Sequence, residues 1–284
     1  MVPRRAPVTT TRRQRLDAAL VERGLVATRA RAQAAVLAGE VYVDGQRAAK
    51  AGMPVAPDAR LEIRPTRPRY VSRGGIKLDH ALDVFGVEVA GRRAADIGAS
   101  TGGFTDCLLA RGAARVYAVD VGTGQLDWRL RGDPRVVCLE RHDVRDLAPE
   151  ALDGPVDLAT VDVSFISLGK VLPAVRRLVR EGGTVVALVK PQFEAGPKAA
   201  KKGVVRDPAV HRAVLARVAA QAASAGFTVR GATYSPIAGP DGNLEFFLHL
   251  SAGAPPDARG VGAAELDAVV AEAHARVPRR GAGR

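Results

Sequence analysis

The run Ala95-Asp96-Ile97-Gly98-Ala99-Ser100-Thr101-Gly102-Gly103-Phe104-Thr105-Asp106 carries a short apolar strand through a glycine-rich turn into a helix. Glycine lets the backbone take positive φ and pass close to a ligand. The spacing is G-x-x-x-G-G, which departs from the G-x-G-x-x-G of a dinucleotide-binding fold. A strand, a glycine turn and a helix in this order open a βαβ unit, so the flanking sequence should alternate in the same way.

It does. Strands are expected near Ala94–Gly98, Ala114–Val121, Val136–Glu140, Leu158–Val163 and Thr184–Lys190, with helical stretches between them. Two more follow at Thr228–Tyr234 and Glu245–Leu250, separated only by Ser235–Leu244 with Pro236, Gly239, Pro240 and Gly242. A reversal that tight sets the final strand antiparallel to an otherwise parallel sheet. A last helix is expected from Ala263 to His274, followed by a basic, glycine-rich tail.

Carboxylates stand at the ends of the neighbouring strands. Asp120 closes the second, where it can accept both hydroxyls of an adenosine ribose, and Asp143 follows the third, within reach of an adenine amino group. This acid, glycine turn, acid order resembles the class I S-adenosylmethionine methyltransferases. The resemblance implies S-adenosyl-L-methionine as cofactor, held by Asp96, Gly98, Ser100, Thr101, Gly102, Gly103, Phe104, Asp120 and Asp143. The implied fold is α/β and Rossmann-like, with a seven-stranded sheet.

The N-terminal quarter has a different character. The chain has 284 residues and a net charge of +12; residues 1–75 hold 15 Lys+Arg against 6 Asp+Glu, and the remainder 27 against 24. The excess is therefore concentrated in the first quarter, as a separate polyanion-binding module would place it. After a Pro/Thr/Arg-rich start, a helix opens at Arg15 and stops at Gly24; Thr28 caps a second, which Gly39 ends. Val41-Tyr42-Val43 runs into Asp44-Gly45, a strong hairpin signal, and Leu61-Glu62-Ile63 closes the module as a strand. Arg15-Leu16-Asp17, Gly24-Leu25, Thr28-Arg29 and Gly39–Gly45 together resemble the ribosomal protein S4-type RNA-binding domain. Arg12, Arg13, Arg15, Arg29 and Arg31 gather at the starts of the two helices, where they can lie against RNA phosphates.

Four polar residues interrupt stretches that are otherwise apolar. Lys77 lies in Ser72–Leu78 at the start of a helix, and Asp162 breaks the strand ending Val161-Asp162-Val163. Lys190 closes Val185–Val189, and Glu245 opens the last strand before Phe246-Phe247. Ligands of open α/β sheets sit at the carboxyl ends of parallel strands, where Asp162 and Lys190 fall, joined by Glu245 if the last strand is reversed. Lys77, Asp162, Lys190 and Glu245 match the Lys-Asp-Lys-Glu set of the FtsJ/RrmJ-like ribose 2′-O-methyltransferases. Chemistry on a ribose 2′-hydroxyl, a weak acid, needs a base and a stabiliser of negative charge. Lys190 is expected as base, Asp162 as its orienting partner facing a sulfonium, and Lys77 with Glu245 as the groups that align ribose and methyl donor.

Several classes are set aside. Cys107 and Cys138 both lie in apolar runs, which suits a reduced cytoplasmic setting. The five histidines show no metal-ligand spacing, so no metal is expected. No apolar run approaches the roughly 20 residues of a membrane-spanning helix, and the basic N-terminus lacks the apolar core of a secretory signal.

With the S4-type module in front, the chain from Arg15 to Leu250 resembles the TlyA family, whose members are named both as haemolysins and as 16S/23S rRNA (cytidine-2′-O)-methyltransferases. Ser72–Leu78, Asp96–Asp106, Asp162–Leu168, Leu188–Glu194, Lys202–Asp207 and Ser235–Phe247 carry the likeness; Tyr70 stands where some members have Trp. The resemblance implies an enzyme acting on ribosomal RNA in 30S and/or 50S subunits; a monomer is the default expectation. The expected domains are a disordered 1–13, an S4-type domain over 14–63, a linker over 64–72, the methyltransferase domain over 73–254 and a helix with basic tail over 255–284. The alternatives are methylation of a protein or small molecule, a ribosome-assembly factor without catalysis, and a membrane-lytic haemolysin.

Overall fold

The computed structural model describes residues 13–64, 69–196, 203–253 and 260–278. The chain divides into two compact units between Arg69 and Tyr70. Arg12 lies outside the described residues, as do nearly all of the first thirteen.

In the first unit, α1 (Leu16–Glu22) and α2 (Arg29–Leu37) pack over a small sheet. Leu16, Ala19, Leu20, Ala32, Val36 and Val41 form its core. Thr28 Oγ1 accepts from Arg31 N at 3.2 Å and starts α2, as its place in the sequence predicts. β2 (Val41–Val43) and β3 (Gln46–Arg47) form a hairpin whose loop residues Asp44 and Gly45 both have positive φ, 51° and 81°. That is the two-residue turn whose twist matches the strands. β5 (Leu61–Ile63) pairs on the other side of β2, and β1 (Gln14–Arg15) pairs with β4 (Pro54–Val55).

The second unit is built on seven strands: β6 (Arg93–Ile97), β7 (Arg115–Asp120), β8 (Val136–Glu140), β9 (Val156–Val161), β10 (Val179–Val189), β11 (Phe227–Tyr234) and β12 (Phe246–Ala252). Their order across the sheet is β11-β12-β10-β9-β6-β7-β8. β6 to β10 pair in parallel, whereas β12 runs antiparallel to both its neighbours, β10 and β11. The short link without a helix between β11 and β12 makes that reversal, as its sequence predicts.

Both faces of the sheet are covered, which is why its central strands read as almost continuous apolar runs. Alternate residues serve opposite cores. Val185, Ala187 and Val189 face the layer of α5 (Leu168–Leu178), α6 (Pro208–Ser224) and α7 (Ala263–Arg276). Val186 and Leu188 face α3 (Arg73–Phe85) and α4 (Gly103–Ala110). Phe246 and Phe247, both fully buried, go to opposite faces, and each contributes about 1.5–3 kcal/mol by leaving water. One boundary differs from expectation: β10 begins at Val179 rather than Thr184 and crosses an irregularity between the two. Gly182, at φ 71°, lets the strand bulge past the exposed Arg180 and Glu181, a turn-like sequence that hides the early pairing.

Candidate active site

The sheet order reverses at β6, whose neighbours β7 and β9 lead away in opposite directions, so a crevice opens beyond its carboxyl end. Gly98 turns the chain there at φ 85°. A Cβ on Gly98 would fall 2.4 Å from the Asp162 carbonyl oxygen, so only glycine allows the turn and the end of β9 to approach this closely. Asp162 N donates to Ile97 O at 2.8 Å and ties the two strand ends together.

Two adjoining cavities follow from this geometry. One, of about 510 Å³, is bounded by Gly98, Ser100, Asp120, Gln125, His142 and Asp143 among others. The other, of about 560 Å³, is bounded by Ser72, Lys77, Gly98, Asp162, Lys190 and Glu245 among others. Gly98, Ser100, Asp162, Ser164 and Phe165 border both, so the spaces are contiguous.

In the first cavity, Asp120 accepts from Ser100 N at 2.8 Å and from Gly122 N at 2.7 Å. One bond falls on each carboxylate oxygen, leaving each a lone pair for a diol. Asp143 caps a short 3-10 turn by accepting from Arg145 N at 2.9 Å, and the Arg145 guanidinium 2.6 Å away holds its carboxyl below the usual range. Thr101, Gly103 and Phe104 border the second cavity. Gly103 sits against the Ser72 hydroxyl, which a Cβ would meet at 2.1 Å, so the starts of α3 and α4 can touch. Asp96 and Gly102 border neither cavity. Asp96 is fully buried beneath the turn and accepts from Thr105 Oγ1 at 2.7 Å and Thr160 Oγ1 at 3.1 Å. Burial pushes its carboxyl up to about 7.

The four interrupting polar residues come together in the second cavity as two ion pairs. Lys77, on the inward face of α3, meets Glu245 at 2.5 Å; their side chains are 9% and 1% exposed. Glu245 is there because β12 runs backwards, bringing its amino end to the carboxyl edge of the parallel strands. Lys190 Nζ lies 2.5 Å from Asp162 Oδ1 and donates a hydrogen bond to Ser164 Oγ at 2.9 Å.

Ser164, Phe165, Gln192 and Phe193 were not singled out as site residues by sequence, yet they border the same space. Phe165 is 90% exposed at φ 63° and packs against Phe193, ring centres 4.8 Å apart. An aromatic three positions after the polar break in β9 was the available signal. Among the described residues no group of three His, Cys, Asp or Glu could hold a metal.

The chain matches the FtsJ-like methyltransferase family over residues 70–252 and the S4 domain family over residues 14–61. The TlyA 16S/23S rRNA (cytidine-2′-O)-methyltransferase of Mycobacterium tuberculosis is 49% identical over 241 residues, 84% of this chain and 90% of that protein. This chain belongs to the TlyA family of FtsJ-like methyltransferases. YqxC of Bacillus subtilis, named for an rRNA methyltransferase, is 48% identical over 268 residues, 93% of this chain and 95% of that protein. A solved structure named for a hemolysin, from Streptococcus thermophilus, superposes with a TM-score of 0.72 at 44% identity, covering 94% of this chain and 98% of that one.

In the S4 unit of this TlyA-family chain, the expected RNA contacts Arg13, Arg15, Arg29 and Arg31 are all exposed. Arg15 and Arg29 converge on the buried Asp17, whereas Arg13 and Arg31 do not. Arg47 and Lys50, which sequence reasoning did not select, border a groove with Gln33 and Leu37. Their signal was weak because they lie on the hairpin side of the module, away from the arginine-rich helix starts.

Proposed function

We propose that this protein transfers a methyl group from S-adenosyl-L-methionine to the 2′-hydroxyl of a cytidine in 16S or 23S rRNA, acting as a monomer on assembled ribosomal subunits in the cytoplasm. The observation that carries the reading is the pair of lysine–carboxylate contacts facing one cavity beside the glycine turn. The relatives named for this reaction support the target.

The first cavity fits the cofactor: Gly98 leaves backbone room, Asp120 offers a free lone pair on each oxygen for the ribose diol, and Asp143 stays ionised to accept from the adenine amino group. When bound, S-adenosylmethionine supplies a methyl group on a positively charged sulfur. Asp162, on the border of both cavities, would offer negative charge to that sulfonium.

Lys190, in its neutral amine form, would take the 2′-hydroxyl proton on Nζ; the cofactor would supply the methyl group, its sulfur keeping the electron pair of the broken S–CH3 bond and leaving as a neutral thioether. A free lysine amine has two N–H groups and one lone pair. Ser164 Oγ takes one N–H at 2.9 Å and the Asp162 carboxylate lies beside Nζ, and together they hold the amine at the border of the second cavity. Lys77, steadied by Glu245, presents its remaining donors to the ribose oxygens and stabilises the developing alkoxide. The gain is chiefly orientation of groups that are weak reagents in water.

A membrane-lytic role finds no support in the helices: among the described residues none is long and apolar enough to cross a membrane. The test is tritium transfer from labelled S-adenosylmethionine to 30S subunits, 50S subunits and free rRNA, with Lys190→Ala beside the wild type. Label that protects one cytidine linkage from alkaline cleavage, lost in the variant with cofactor affinity retained, is the expected result. Full activity in Lys190→Ala removes this residue as the base, and no incorporation into any rRNA removes the proposed substrate.

A further inference from the structure

Asp17 is a charged residue with no exposed surface, in a small domain whose other carboxylates have access to solvent. It opens α1, and its backbone N–H donates to Ala51 O at 2.9 Å. Its carboxylate gathers side chains from three places in the chain. Arg15 grips it through two parallel bonds, Nε to Oδ1 at 3.1 Å and a terminal nitrogen to Oδ2 at 2.9 Å. Arg29, the first residue of α2, donates to Oδ2 at 3.1 Å, as does Gln33 one helical turn later.

The two arginine side chains remain 56% and 57% exposed. Each guanidinium thus spends part of its donor set on the buried acid and keeps the rest turned outward. Arg15 is also laid over the backbone of Gly52, where a Cβ would come within 2.9 Å of its terminal nitrogen. Free arginine side chains carry large rotamer entropy, and binding must remove it; here folding has already done so. The groove bordered by Gln33, Arg47 and Lys50 adjoins the cluster through Gln33.

We propose that Asp17 is a positioning residue for RNA: it fixes Arg15 and Arg29 as a rigid two-guanidinium fork for backbone phosphates of folded RNA. The inference rests on the RNA-substrate reading above. It also sets two effects against each other. Asp17 contributes one negative charge to a surface that binds a polyanion, so by Coulomb attraction alone its removal tightens binding. As a positioning residue, its removal loosens binding.

The experiment is filter binding of the full-length protein to purified 16S and 23S rRNA over a range of salt concentrations. The variants are Asp17→Asn, Arg15→Ala/Arg29→Ala and the triple combination, with circular dichroism melts as the folding control. Asp17→Asn is expected to weaken binding about tenfold, the order expected for freeing two long side chains, despite raising the net charge. In the background lacking both arginines the same change is expected to have no weakening effect. The double-alanine variant is expected to flatten the salt dependence by about two phosphate contacts, and Asp17→Asn to leave that slope nearly unchanged. Arg29→Lys, at an exposed position that preserves charge and fold, is expected to weaken binding in the same direction.

Binding by Asp17→Asn as tight as wild type, or tighter, overturns the proposal. So does equal weakening with and without the arginines, which marks Asp17 as merely structural. Should Asp17→Asn unfold, undiminished binding by Arg29→Lys overturns it instead. Failure of the wild type to bind rRNA is a separate result and overturns the substrate reading.

Discussion

Replacing Glu245 by Gln removes one charge from a pair that water barely reaches. The Lys77 and Glu245 side chains are 9% and 1% exposed and 2.5 Å apart, so the ammonium left behind cannot recover its lost hydration. Breaking a buried pair on one side costs about 3–5 kcal/mol, whereas exchanging both partners for apolar residues of similar size is close to neutral. In a domain of about 200 residues each kcal/mol moves the melting temperature by about 2–4 °C. Glu245→Gln should therefore lower Tm by about 6–20 °C, and Lys77→Met/Glu245→Leu should recover most of that loss. Methyl transfer should be absent from both. Differential scanning calorimetry with tritium incorporation on the same preparations reads both quantities. A Glu245→Gln variant melting within 2 °C of wild type refutes the desolvated pair; a double variant that still methylates rRNA refutes its part in catalysis.

The glycine turn gives a contrast between two similar changes. Gly98→Ala forces a Cβ within 2.4 Å of a backbone oxygen at φ 85°, so calorimetric affinity for S-adenosylmethionine should fall at least tenfold; Gly124→Ala, at φ 69° with nothing near it, should cost only about 1 kcal/mol of stability from backbone strain. Unchanged affinity in Gly98→Ala would show that the turn can move aside. The buried Asp96 predicts a pH dependence. Its folded-state pKa of about 7 lies above the unfolded value, so the folded chain keeps a proton that the unfolded chain releases near pH 4. Stability from this group is full below about pH 4, falls as the pH rises to about 7 and stays low above it, by about 2–4 kcal/mol in total. Denaturant unfolding of wild type and Asp96→Asn between pH 4.5 and 8 (roughly the window set by those values) should diverge accordingly, and parallel curves would refute it.

Much of this architecture was legible because both faces of the sheet are buried. Apolar runs such as Val185–Val189 mark central strands, and the absence of a helical stretch between Tyr234 and Glu245 foretells the reversed one. The four polar interruptions were legible for the same reason: a charge in such a run has no structural ground to be there. What stayed hidden depends on three-dimensional partners. The expected partnership of Asp162 with Lys190, and the grouping of Lys77 with Glu245, rest on family resemblance and reaction chemistry, since residue order alone leaves either lysine free to face either acid. Asp96 reads as a ligand-binding acid from its place before the turn, yet its side chain points inward to Thr105 and Thr160, a choice of strand face that a one-residue shift would invert. Asp17 was overlooked because an acid among arginines reads as ordinary charge balance; only its complete burial distinguishes it.

The reversed strand also ties assembly of the polar cluster to the order in which the chain is made. β12 fits into a slot whose walls, β10 and β11, both precede it in sequence, and it delivers Glu245 to a lysine 168 positions upstream. Contacts of such long range form late, since closing the loop costs entropy before any contact repays it. A nascent chain that has not reached Glu245 therefore has an open edge on β10, a gap beneath α3 and a lysine without its acid. It owns the glycine turn but only three of the four polar groups. The Lys77–Glu245 pair and the completed sheet therefore arrive in the same step.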